Sequence, residues 1–192
     1  MTQYLQIHPD DPQPRFLARA AEVVREGGVI VFPTDSCYSL GCHLGDKDAV
    51  DRIRAIREVD DRHHLTLMCR DLSEIAQYAR VDNSQYRLLK ATTPGSYTFI
   101  LEGTKELPRR VVHPKRKTIG LRVPDHKTAL ALLAELGEPL LTSTLIIPGD
   151  EAPLTEGWEI QDRLEDQIEL ILDAGHCGIE PTTVIDLTGS AP

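Results

Sequence analysis

Short apolar runs and amphipathic stretches alternate along most of the chain. Residues 15–26 place Phe16, Ala20, Val23 and Val24 on one face at helical spacing, and Gly27-Gly28 supplies the stop. VIVFP (29–33) is a continuous apolar run, which predicts a strand buried on both faces. Asp46 is placed to cap a helix whose stripe is Val50, Ile53 and Ile56. LTLMC (65–69) predicts a strand. Asp82 opens a helix carrying Leu88 and Leu89, which must stop before Pro94. YTFIL (97–101) and TIGLRV (118–123) predict strands, and Asp125 is expected to cap a helix with Leu132, Leu133 and Leu136 that ends at Gly137. LLTSTLII (140–147), IELIL (168–172) and TVIDL (183–187) complete the set. Met1 to Pro14 reads as a polar, proline-rich lead and 148–158 as the nearest thing to a linker, with Trp158 expected to anchor packing.

Helices and strands mixed in this way predict an α/β fold with a twisted sheet flanked by helices. Strict alternation fails around 97–123, where strands follow one another, so the sheet is expected to be mixed. The length of 192 residues suits one domain, 1–192, large enough to bury a core without staples. Apolar residues at 41% and charged residues at 27% exclude a disordered or fibrous chain. The four cysteines form no C-x-x-C pair, so no structural zinc and no tightly bound metal is expected. No run of 18 apolar residues occurs, and the expectation is a cytoplasmic monomer with no membrane partner.

The net charge of −9 argues against a protein that coats nucleic acid with its whole surface, but the charge is uneven. Residues 105–122 carry seven basic side chains against the single acid Glu106, a local +6 that leaves −15 for the rest. A second stretch holds Arg52, Arg54, Arg57 and Arg62 followed by His63 and His64. Two basic segments in an acidic chain point to a focused anion groove. The P-loop, dinucleotide-binding, G-x-S-x-G and H-E-x-x-H motifs are all missing. What remains is hydroxyls at strand ends: Thr34 and Ser36 after VIVFP, Thr142-Ser143-Thr144 within 140–147, and Thr182-Thr183 before 183–187. In α/β sheets such positions hold phosphate or carboxylate oxygens, or simply satisfy turn backbones.

Four of these segments together resemble a known family. V-F-P-T-D-S-C-Y-S-L-G (31–41) is similar to P-T-[DE]-T-x-Y-G-L, and Thr93 to Leu101 to W-P-G-P-x-T. Gly120 to Pro124 resembles the [LV]-R-x-P strand, and Pro181 to Asp186 the P-S-T-[VI]-[VI]-D segment. Their order and spacing match the YrdC/YciO family, best known for threonylcarbamoyl-AMP synthases. H-x-x-T-L-M-C-R-D-L (63–72) and K-R-K-T-I-G-L-R-V-P (115–124) resemble its YciO branch.

The resemblance implies a YrdC-like fold with a large basic cavity, and ATP, L-threonine, bicarbonate and Mg²⁺ as substrates and cofactor. It implies that Thr34, Tyr38, Thr66, Arg122 and Thr182 bind the amino acid. Arg57, Thr142, Ser143 and Thr144 would face the nucleotide, with Arg57 the catalytic cation. It also supports an alternative, binding of structured double-stranded RNA or tRNA without turnover, through Arg109, Arg110, Lys115, Arg116 and Lys117. Three departures stand out. Synthase members carry K-x-R after the second helix, where this chain has Arg57 and Val59, and S-x-N after the strand at 140, where it has Thr144 and Ile146. The family's usual final segment beyond the P-[ST]-T-V-[IV]-D strand is expected to be lacking. Each lost donor is expected to slow the family reaction by roughly 10²–10³.

Overall fold

Helices form where a cap and an apolar stripe agree. A computed structural model describes residues 1–192. Six helices are present: α1 (Pro14–Arg25), α2 (Lys47–Arg57), α3 (Leu72–Tyr78), α4 (Asn83–Thr92), α5 (Lys127–Leu136) and α6 (Gly157–Leu164). Pro14 opens α1 at a position where its missing N–H is no loss. Asp46 accepts from the Ala49 N–H at 2.9 Å to start α2. Asp82 and Gln85 close a reciprocal capping box on α4. Gly137 ends α5 in the left-handed region, at φ 75°. The cap of α5 is His126, whose side chain accepts from the Ala129 N–H, and not the expected Asp125. The Asp125 N–H is instead taken by the Asp35 carboxylate.

Nine strands make one sheet: β1 (Gln3–Gln6), β2 (Ile30–Phe32), β3 (Ser39–His43), β4 (Thr66–Met68), β5 (Tyr97–Glu102), β6 (Thr118–Arg122), β7 (Leu140–Thr144), β8 (Leu170–Asp173) and β9 (Thr183–Asp186). Their order is β1-β8-β2-β3-β7-β4-β6-β5-β9. Four neighbouring pairs run parallel and four antiparallel, so the sheet is mixed as expected. β1 lies in the supposed polar lead, and α6 begins inside the supposed linker. Trp158, in the first turn of α6, is 65% exposed and anchors no packing.

Each face of the sheet has its own core. On one face Val31, Leu40, Leu67, Leu121 and Leu141 pack with Ile53 of α2, Ile75 of α3, Leu89 of α4 and Ile160 of α6. On the other, Ile30, Phe32, Met68, Leu140 and Leu170 pack with Val24 of α1 and Leu132 and Leu133 of α5. That second cover is partial. Register places Thr142 opposite Thr66, and Thr66 opposite Gly120. By the two-residue period these share the face of Leu140 and Met68. The face thus changes from leucine and methionine to threonine and glycine as it leaves α1 and α5.

β8 and β9 lie near opposite edges, with six strands between them. At ~4.8 Å per spacing a flat sheet would separate them by about 34 Å. The ten steps from Asp173 to Thr183 span at most about 33–36 Å. The connecting strap, 174–182, can therefore join the two strands only by running close to full extension or by a curl of the sheet that brings its ends together. No helix is long and apolar enough to cross a membrane.

Candidate functional site

The turn after β2 is built by its hydroxyls. The Thr34 Oγ1 donates to the Cys37 carbonyl at 2.7 Å and accepts from the Ser36 and Cys37 N–H groups at 3.1 Å. One donation and two acceptances fill the capacity of a hydroxyl. Thr34, 3% exposed, shapes this turn and offers no free hydroxyl. Beside it, Arg122 at the end of β6 is buried. Its guanidinium donates to the Asp35 carboxylate and, at 3.1 Å, to the Ser36 Oγ, while its Nε has no partner. Burial pulls the Arg122 guanidinium below its usual value and Asp35 opposes that shift. A buried cation held by one carboxylate is the arrangement that burial demands.

Arg57 is the last residue of α2. Glu58 follows in the left-handed conformation, φ 51°, and turns the chain away. The Arg57 side chain reaches β7 and donates to the Ser143 Oγ at 2.5 Å. With Thr66, Ser143 and Thr144 it lines a hollow of about 300 Å³. His63 and His64 complete the basic side; Ile146, Glu151, Pro153, Ile179 and Pro181 form the rest. Burial pulls the Arg57 guanidinium down as well. Partial burial lowers both histidine pKa values, with Arg57 as the next cause for His63 and His113 for His64. His63 sits at the mouth, open to solvent, and His64 deeper, its Nε2 2.8 Å from the Thr118 Oγ1.

The strap joins these two clusters. The Cys177 Sγ lies 3.4 Å from the Thr34 carbonyl, and a Cβ on Gly178 would stand 3.0 Å from the Ser36 carbonyl. Further along, Ile179 and Pro181 wall the hollow, and the Thr182 Oγ1 lies 2.7 Å from the Thr98 Oγ1. Gly120 makes room here, because a Cβ on it would meet Thr66 Oγ1 and Thr98 Cγ2, each at 3.1 Å. Cys37 connects the clusters from below: Ser36 and Thr144 bond to its thiol, and Arg122 and Arg57 act on it. Burial is the larger effect and raises the Cys37 pKa, so this thiol is a filler and no nucleophile.

Thr66, Arg57, Ser143 and Thr144 thus share one hollow, Thr182 follows Pro181 of its wall, and Arg122 lies outside the lining, paired with Asp35. Thr142 is on the same strand but donates to the Thr66 carbonyl at 2.8 Å. Tyr38 is turned elsewhere. It is fully buried, and its hydroxyl bonds the Asp173 carboxylate and the Gly175 carbonyl, at 3.1 and 2.6 Å, at the root of the strap. The sequence marks His63 and His64 as the end of a basic stretch that could compensate for the missing cation or lie in an exposed loop, and a loop carries no periodicity to decide between the two. Their place beside Arg57 is the one useful signal, and it was visible as a basic run.

The basic loop 105–117 packs against α2. Arg54 donates to the Arg110 carbonyl at 3.0 Å, Arg110 donates to the Gly45 carbonyl, and the His113 ring lies 5.4 Å from that of His64. Arg109, Lys115 and Lys117 lie outside the hollow, and so does Arg116, which borders a larger one of about 560 Å³ between the start of β6 and the segment after β9. That larger hollow holds none of the hydroxyl-and-arginine set.

The Sua5/YciO/YrdC family model, described as telomere recombination, matches residues 22–192. The chain is 56% identical to the uncharacterized protein YciO of Escherichia coli, over all of this chain and 93% of that one. The crystal structure of E. coli YciO superposes with a TM-score of 0.96, covering 99% of this chain and 92% of the other. A threonylcarbamoyl-AMP synthase from Bacillus subtilis is 29% identical, over 97% of this chain but 54% of the relative. A structure of P. abyssi Sua5 complexed with L-threonine is 26% identical, with a TM-score of 0.90 over 98% of this chain and 55% of that one.

Proposed function

Since the chain belongs to the Sua5/YciO/YrdC family, we propose that its hollow binds ATP with a small amino acid of the L-threonine type and carries out slow threonylcarbamoyl-AMP synthase-type transfer. The observation that carries this reading is the convergence of Arg57, Thr66, Ser143 and Thr144 on one hollow, roofed by the strap that bears Thr182. Arg57 and the Ser143–Thr144 hydroxyls face the phosphates. Thr66 and Thr182 offer hydroxyls to the amino acid, while Arg122, paired with Asp35 and Ser36, fixes the turn after β2. Thr34 and Tyr38 shape the walls without touching the ligand.

In this reading the amine and bicarbonate condense to a carbamate with loss of water, a carbamate oxygen attacks the α-phosphorus, and the bond from that phosphorus to pyrophosphate breaks. The protein forms no covalent bond; it aligns the reactants and steadies charge on phosphate oxygens. Glu151 is the one carboxylate lining the hollow, so Mg²⁺ enters with the triphosphate and not in a protein cage. Transfer is slow because Val59 and Ile146 stand where synthases have a cation and an amide. The test is threonine- and bicarbonate-dependent pyrophosphate release from ATP. Release lost in Arg57→Ala, and raised by about 10²-fold or more in Val59→Arg with Ile146→Asn, is expected. Equal release in wild type and Arg57→Ala would remove the reading.

A second reading, RNA binding, is favoured by the packing of loop 105–117 beside the hollow. Charge reversal at Arg109, Lys115 and Arg116 would then weaken RNA binding at every sequence and flatten its salt dependence.

A further inference from the structure

The hollow has few fixed charges. Among its lining side chains Arg57 is positive and Glu151 negative, so with neutral imidazoles it carries no net charge. A triphosphate brings about four negative charges, and desolvated anions need cations close by. Val59, at the position of a synthase cation, is not among the lining residues. Two titratable rings are: His63 at the mouth and His64 within.

We propose that His63 and His64 are the missing cations of this site, recruited as protons, so that the protein takes a polyphosphate tightly only when both rings are charged. The inference rests on the nucleotide reading above and adds its regulation. Protonating both rings changes the lining from neutral to +2. The groups around them fit such a switch. From α2, Arg57 and Arg54 face His63, and Asp60 of its own loop opposes them. His64 meets His113 and Arg116 of the basic loop and, in the opposite sense, Asp186 of β9. Glu151 lines the same hollow. In the free protein partial burial and the neighbouring cations keep both rings below the ordinary imidazole value. A bound polyphosphate must raise them. The complex then holds more protons than the free protein, and affinity rises as pH falls through the window between the two values. Without ligand the sign is opposite. The unfolded imidazoles protonate first on acidification, so stability contributed by the neutral rings is lost below about pH 6.5.

The experiment is calorimetric titration of ATP into the full chain between about pH 8 and about pH 6, with NMR titration of the histidine ring protons in the same samples. Wild type should bind about tenfold or more tightly at the acidic end, with the His63 and His64 ring pKa values raised by ligand. The His63→Gln, His64→Gln double variant serves as control; the ligand's own titration is common to both and cancels in the comparison. It should lose the extra pH dependence. His63→Lys should recover part of the acidic-pH affinity at alkaline pH, and His63→Lys with His64→Lys nearly all of it. Should the double variant keep the wild-type slope, or the ring titrations ignore the ligand, the switch is overturned and the nucleotide reading survives. Should wild type bind no ATP at any pH, the nucleotide reading falls first and the switch with it.

Discussion

Two halves of one sheet face have opposite fates. Under α1 and α5 the face is Ile30, Phe32, Met68 and Leu140, and two helices seal it with Val24, Leu132 and Leu133. A few ångströms on, the same face is Thr142, Thr66 and Gly120, and from Thr66 the hollow opens around the strand ends to Ser143 of the other face, with Arg57 and two histidines at its wall. The backbone ladder is continuous across both. Side-chain identity alone decides which half becomes core and which becomes site: apolar area drives burial, while hydroxyls are tolerated at a polar cavity. The sealed half should control stability and the open half binding.

That division can be broken at several points, taken from the largest effect to the smallest. Arg122→Met leaves the half-buried Asp35 without its cation at the border of the two halves and should cost about 3–5 kcal/mol in chemical denaturation. Adding Asp35→Asn should recover part of it, and a double variant no more stable than the single would show that the pair is not coupled. Leu133→Ala, in the sealed half, should cost about 2–5 kcal/mol through lost burial and the cavity left behind. Its ATP affinity per folded molecule should be that of wild type; a matching loss of affinity would tie the two halves together. Gly120→Ala forces a methyl against Thr66 and Thr98 and should cost about 1–3 kcal/mol, with a ligand-induced rise in Tm smaller than in wild type. Thr66→Val keeps shape and removes one hydroxyl from the hollow. Stability should move by under about 1 kcal/mol, while the shift in Tm on adding ATP and L-threonine shrinks. A wild-type shift would exclude Thr66 from the ligand site.

The histidines behave differently from every residue in these tests. Arg57 and Arg122 keep their charge across the accessible pH range, whereas His63 and His64, held below the ordinary imidazole value in the free protein, gain theirs only on acidification or beside an anion. A site with one fixed cation beside two adjustable ones has an affinity set by conditions, and a K-x-R pair would not.

Local sequence decided where elements begin and end. Asp46, Asp82, Gly27 and Gly137 are capping and stop signals that depend on neighbours within one turn, and all act as expected. Runs such as VIVFP and LTLMC are apolar enough to demand burial whatever surrounds them. β1, QYLQ, and β3, SLGCH, carry no such run. They are strands because β8 and β2 lend them hydrogen-bonding edges, and no local pattern announces that. The seven-residue α3 is too short for periodicity to show, and α6 hides behind a proline-flanked acidic stretch. The motifs located the site as a set of segments without saying which side chains remain free. Thr34 is consumed by its own turn, Tyr38 by Asp173 and Gly175, and Thr142 by the Thr66 carbonyl. Those outcomes, and the meeting of a loop histidine pair with Arg57, depend on strand order and on the strap that joins β8 to β9. Residues distant in sequence become partners only when the chain closes on itself, so that part belongs to the tertiary structure.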